Sequence, residues 1–202
     1  MKNRGIVIVA VAALAAGAGF YGYQQRAQPA ATIPTAKLAA TVPDFSLADR
    51  AGQMRSLHDW NGKALIVNFW ATWCAPCRKE IPLLQKLQRE RAGEGFQVVG
   101  IAVDFREKVL AYADEMKIDY PLLIGEQEAL DAASAFGVEA IGFPFTIFTD
   151  TRGRVVVAHM GELTQAEADL ILGTVKAVDA GQRTLEQARA HIETGLAALS
   201  PT

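Results

Sequence analysis

The chain changes its hydrophobic rhythm several times. Residues 65–69 and 97–103 are unbroken apolar runs, the pattern of strands covered on both faces. Between them Ile81, Leu84, Leu87 and Gln88 recur at helical spacing while Lys79, Lys86 and Arg89 fall elsewhere on the wheel, and Gly93 and Gly95 close the helix. Strand, helix and strand predict a parallel pair joined by a right-handed crossover. Residues just after 69 therefore stand at the carboxyl end of a strand, where sites in open α/β sheets gather.

Around this unit, 43–47 and 54–57 read as short strands flanking the turn at 49–52. Residues 107–116 are helical in pattern, 120–124 extended and 126–136 helical again before Gly137, an apparent insertion between two core strands. The segments 144–149 and 154–159 flank Asp150-Thr151-Arg152-Gly153, a hairpin signal. Thr164 with Glu167 fits a capping box that opens a helix running to about residue 179. From Thr184 onward Leu185, Ala188, Ile192, Leu196 and Leu199 make an apolar stripe. We expect it to pack on its own domain, the other reading being a partner surface. No internal repeat is present.

The ends differ from the middle. Lys2 and Arg4 precede an uncharged stretch whose apolar heart is 6–20, the form of an export element. Ala16-Gly17-Ala18 suits a peptidase, whereas Tyr21 and Tyr23 suit an interfacial belt, so a cleaved signal and an uncleaved anchor in the inner membrane both fit. Residues 26–41, rich in Ala, Pro, Thr and Gln, read as a flexible tether. The expected organisation is 1–25 export element, 26–41 linker, 42–180 globular domain and 181–202 helical extension. The chain's formal charge of −2, without a long basic run, gives no footprint for a nucleic-acid backbone. The domain is expected outside the cytoplasm.

Both cysteines of the chain lie in Trp73-Cys74-Ala75-Pro76-Cys77, where the first buried strand gives way to the helix. Two residues apart, they can close a small disulfide or present two thiolates, and the unpaired N–H groups of a helix start favour charged sulfur. A structural bridge this short restrains almost no chain entropy, and a four-cysteine zinc site is excluded by number. Reversible dithiol chemistry is the first reading. Cys74, nearest the helix N-terminus, is the expected attacking thiol, and Cys77 the thiol that resolves the mixed disulfide. Apart from this redox-active pair no cofactor or metal is expected. Ala75 and Pro76 tune the potential, and Pro76 supplies the φ of a helix start.

Other residues join the candidate site. Glu80, three residues after Cys77, shares its helical side and could pass a proton to or from the resolving sulfur, an exposed helix glutamate being the alternative. Asn68, the odd polar residue in its strand, would need hydrogen-bond partners if buried. Trp70 and Trp73 are expected to form an apolar rim that packs the site and meets partners. Gly142-Phe143-Pro144 precedes a strand, and proline removes a ladder donor there, leaving the Phe143 backbone to pair with an extended partner. Pro82 should kink the helix. Arg78 and Lys79 are expected to face water, and His58, His159 and His191 to be surface or packed residues.

Trp-Cys-x-x-Cys at this junction, with Pro82 and the segment Phe143-Pro144-Phe145-Thr146 downstream, resembles the thioredoxin superfamily. Pro43-Asp44-Phe45-Ser46-Leu47, Asn68-Phe69-Trp70-Ala71-Thr72-Trp73-Cys74, the insertion and the export element narrow the resemblance to the membrane-tethered TlpA/ResA group of extracytoplasmic thiol-disulfide oxidoreductases. The resemblance implies an α/β thioredoxin-like fold, with a central mixed sheet flanked by helices, an N-terminal β-hairpin and a helical insertion. It also implies Cys74 and Cys77 as attacking and resolving thiols, Pro144 as a cis-proline facing them, and Glu80 as a site carboxylate. The activity implied is reduction of disulfides in exported proteins, of the cytochrome c or cytochrome oxidase maturation type, with electrons from a membrane thiol donor. Asn68 stands where thioredoxin carries a buried aspartate, which moves the proton question to Glu80. A Cu(I) carrier using the same dithiol and a thiol peroxidase are the alternative functions.

Overall fold

The computed structural model describes residues 31–32, 38–138 and 142–199. The expected export element, residues 1–25, lies outside the described residues, as does most of 26–41. Among the described residues no helix is long and apolar enough to cross a membrane.

Eight strands form one mixed sheet in the order β1-β8-β7-β4-β5-β6-β2-β3. At its centre β4 (Ala64–Trp70) and β5 (Phe96–Val103) run parallel, joined by α1 (Ala75–Arg91), as the strand-helix-strand pattern requires. Every residue of β4 is buried, because α1 covers one face and other elements the opposite one. α1 runs without a break through Pro82. A short 3-10 turn, Ala92–Glu94, ends at Gly95, whose φ of 93° suits glycine.

The insertion adds more than helices. Between α2 (Arg106–Glu115) and α3 (Gln127–Ala135), β6 (Leu122–Gly125) joins the sheet parallel to β5 and antiparallel to β2 (Ser46–Asp49). The opening hairpin of β2 and β3 (Met54–Ser56) therefore reaches the sheet through the insertion. On the other flank β7 (Phe145–Thr149) pairs antiparallel with β4, and β8 (Val155–Met160) antiparallel with β7. The backbone of β1 (Ala31–Thr32) pairs with the end of β8, and Thr41 bridges Arg154. Parts of the segment read as a tether thus lie against the domain, because β8 is otherwise an open edge with backbone groups to satisfy.

Two apolar clusters, one on each face, hold the sheet. Ile81, Leu84 and Leu87 of α1, Ala168, Ile171 and Val175 of α4 (Gln165–Asp179), and Ala188, Ile192 and Leu196 of α5 (Leu185–Leu199) fill one. The α3 side chains Ala129, Ala132 and Ala133, with Phe136, fill the other together with Leu47 of the hairpin. Ala188, Ile192 and Leu196 of the tail stripe are therefore core, with Leu185 half-buried and Leu199 exposed, and Arg189 of α5 donates to the carbonyls of Val155 and Val156 on β8. The capping box forms as expected, with Glu167 N–H donating to Thr164 Oγ1 at 3.3 Å and Thr164 N–H to Glu167 Oε2 at 2.8 Å.

Candidate active site

β4 delivers the chain to its carboxyl end at Trp70, and Thr72 anchors the loop that follows. Thr72 donates its backbone N–H, at 3.3 Å, and its hydroxyl to Asp104 Oδ2 at the end of β5. Cys74 is the N-cap of α1, and its Sγ accepts the N–H of Cys77 at 3.2 Å. That bond directs a first-turn donor at the sulfur. Pro76, in the same turn, has no N–H to compete. Cys74 and Cys77 form a disulfide with an S–S distance of 1.95 Å. Cys74 keeps 5% of its surface and Cys77 none, so an attacking partner meets Cys74 first. Ala75 and Pro76 are exposed beside it.

The Phe143–Pro144 peptide is cis. Phe145 and Phe69 pair across β7 and β4, so Pro144 lies at the same end of the sheet as the loop to Cys74. The ring of Phe143 meets Trp73 edge-on, with centroids 6.0 Å apart, and stacks toward Phe145 at 6.1 Å. Trp73 is 68% exposed. It forms the rim expected of it, but Trp70 does not: it is wholly buried beneath α1, tilted on Tyr112 at 5.8 Å. A strand residue pointing to the helix-covered face has no route to the surface. Gly100 on β5 makes room for it, since a Cβ there would stand 3.2 Å from Trp70 Nε1 and 2.7 Å from Leu122 Cδ2. Arg78 and Lys79 face water.

Glu80 is buried, not on the solvent side of its helix. Its Oε1 accepts from Asn68 Nδ2 and its Oε2 from Leu163 N–H at 3.1 Å. The second Asn68 N–H goes to Thr146 Oγ1 at 3.0 Å, while Asn68 Oδ1 has no hydrogen-bond partner. Burial pushes the Glu80 carboxyl up to about 8; the charges of Glu162 and Glu167 add to this, and the Leu163 and Asn68 hydrogen bonds oppose it. A carboxyl raised in this way, one helical turn from Cys77, is a candidate proton partner for that sulfur.

The sequence reading brought Cys74, Cys77, Glu80, Trp73, Phe143 and Pro144 together, and the structure places all of them at this end of the sheet or just beneath it. It missed Asp104, whose position as a carboxylate at the end of a parallel strand was a usable signal. It also missed Leu163, which acts through its backbone and leaves no mark in side-chain pattern. Among the described residues, no group of three or more His, Cys, Asp or Glu side chains is arranged to hold a metal ion.

Comparison with known proteins agrees with this geometry. The model of the AhpC/TSA family matches residues 38–159. The chain is 35% identical over 134 residues to the thioredoxin-like protein YneN of Bacillus subtilis, covering 63% of this chain and 74% of that one. It is 29% identical over 140 residues to the thiol-disulfide oxidoreductase ResA of Geobacillus thermodenitrificans, covering 69% and 78%. Among solved structures, a secreted thiol-disulfide isomerase from Corynebacterium glutamicum superposes with a TM-score of 0.58 at 26% identity, covering 84% of this chain and 95% of that one.

Proposed function

This chain belongs to the AhpC/TSA family and is a thiol-disulfide oxidoreductase of thioredoxin-like fold, and from that premise we propose that it works as a reductase of disulfides in exported proteins. Its place is the extracytoplasmic face of the inner membrane, held there by residues 1–25, and its partners are proteins of the cytochrome c or cytochrome oxidase maturation type. Electrons come from a membrane thiol donor, since neither the sequence nor the site offers a nucleotide fingerprint. The lysine and arginine before the apolar stretch support export, as does the secreted description of the Corynebacterium glutamicum relative.

The observation that carries the reading is the buried Glu80 carboxyl, one helical turn from Cys77 and raised by its burial. In the reduced protein the Cys74 thiolate attacks one sulfur of the partner disulfide, forming the mixed disulfide and releasing the first partner thiolate. Cys77, its proton taken by Glu80 in the ionised form, then attacks Cys74 Sγ, forming the Cys74–Cys77 disulfide and releasing the second partner thiolate. Two electrons reach the partner, and the two thiolates it leaves with are protonated by Glu80 and water. Asn68 serves Glu80 in both states: its Nδ2 donates to the carboxylate, and a flip of the amide presents Oδ1 to the acid. The cis Phe143–Pro144 segment and the Trp73 ring hold the extended partner chain beside Cys74.

The test is disulfide reduction with Cys74→Ser and with Cys77→Ser. The first should be inactive and the second should accumulate a partner-linked mixed disulfide. Wild-type turnover by Cys74→Ser overturns the reading. The direction is read separately from the potential of the pair, where a value near about −270 mV marks a reductant and one near about −120 mV an oxidant.

A further inference from the structure

A row of polar side chains crosses the otherwise apolar sheet on the face that α1 and α4 cover. Asn68 of β4 stands opposite Thr146 of β7, and Thr146 stands opposite His159 of β8. All three are completely buried. Two carboxyl groups lie over this row, Glu80 from α1 above Asn68 and Glu167 from α4 beside His159. The His159 Nε2 is 3.4 Å from Glu167 Oε1, an ion-pair contact longer than a good hydrogen bond, and neither ring nitrogen has a hydrogen-bond partner. The disulfide chemistry described above makes no use of either residue.

What joins the two carboxyls is a pair of consecutive backbone N–H groups. Leu163 N–H donates to Glu80 Oε2 at 3.1 Å, and the next N–H, that of Thr164, donates to Glu167 Oε2 at 2.8 Å. Adjacent residues span about 3.8 Å, so the two Oε2 atoms are held no more than about 10 Å apart. No other carboxyl is tied to Glu80 through backbone in this way among the described residues. From this geometry we infer that Glu167, with His159 packed against it, is a positioning residue for Glu80, fixing the turn that binds it and setting through the Glu167 charge how firmly Glu80 keeps its proton. The inference rests on the reading of Glu80 as the proton carrier of the dithiol.

The groups that face this cluster come from every element packed around it. Cys77 lies one turn from Glu80 on α1, Tyr120 approaches from the segment before β6, and Glu162 stands in the turn after β8. Arg189 of α5 is bound to β8 carbonyls. Burial would raise Glu167, but the His159 imidazole and the Thr164 N–H and hydroxyl outweigh it and hold the carboxyl down at about 2, so Glu167 stays charged throughout the working range. A like charge at such a distance, in the effective dielectric of a protein, is worth about one pH unit on a neighbouring carboxyl. Removing the Glu167 charge should therefore loosen the Glu80 proton.

The experiment is a 13C NMR titration of glutamate side-chain carboxyls in the oxidised full-length chain, with Glu80 assigned by the signal lost in Glu80→Gln. Glu167→Gln keeps the capping box, because glutamine serves the same position, and should move the Glu80 midpoint down by about half a unit to one unit. A midpoint that falls in Glu167→Gln supports the pairing. A midpoint unmoved or raised in Glu167→Gln overturns it. A wild-type Glu80 that titrates in the ordinary carboxyl range overturns instead the proton-carrier reading on which this inference stands.

Discussion

Glu80→Gln isolates the energetic consequence of burying the site carboxyl. The native protein holds Glu80 protonated up to about 8, while the unfolded chain releases that proton near 4.5. Between those values the native state binds one proton more than the unfolded state, so stability falls as pH rises. The favourable contribution is complete below 4.5 and gone once the pH has passed about 8. Three and a half pH units at about 1.4 kcal/mol each give about 5 kcal/mol as an upper bound, because water entering around the ionised carboxylate lowers its cost. Glutamine has nearly the same shape, can accept from Leu163 N–H, and does not ionise. Urea unfolding of the oxidised wild-type and Glu80→Gln proteins between about pH 5 and 9 should therefore give nearly equal stabilities at the acid end. The variant should become more stable by up to several kcal/mol at the alkaline end. Glu94 and Glu167 do not confuse the comparison, since both are held below 4.5 and lose their contributions only as the pH falls beneath it. Parallel stability curves for the two proteins would refute the argument that burial governs Glu80.

Asn68→Leu strips a donor from Glu80 and from Thr146 at once; it should cost about 1–3 kcal/mol in denaturant unfolding and raise the Glu80 midpoint above that of the wild type. Gly100→Ala drives a Cβ to 2.7 Å from Leu122 Cδ2 and should cost about 1–3 kcal/mol by the same measurement, with a neutral result showing that the Leu122 side chain can give way. Ile192→Ala should cost about 2–5 kcal/mol, and an unchanged stability would mean that the tail helix is not part of the core.

The main architecture could be read from rhythm because local pattern and tertiary packing agree there. The runs at 65–69 and 97–103 became adjacent parallel strands, and the stripe from Leu185 became a packed helix. The attachment of the opening hairpin to β6 was not legible, since pairing partners far apart in sequence leave no periodic signal. Glu80 was placed on the correct helical side, but its burial depends on Leu163, 83 residues further along the chain. Trp70 shows the converse limit: aromatic residues beside a motif look alike in sequence, and what separates them is that Trp70 ends the buried strand while Trp73 lies in the exposed turn after it.

The hydrogen bonds that surround Glu80 also have a bearing on biosynthesis. Asn68 finds Thr146 across 78 residues and Glu80 finds Leu163 across 83, whereas Cys74 and Cys77 need only their own helix turn to meet. At about 5–20 residues per second, several seconds separate the emergence of the thiols from that of the groups that enclose their carboxyl. During that interval the nascent chain carries two cysteines without the hydrogen-bonded enclosure that later surrounds Glu80. That enclosure is complete only when the last third of the chain has been delivered and closed over the first helix, so a prematurely ended chain would bear the motif without it.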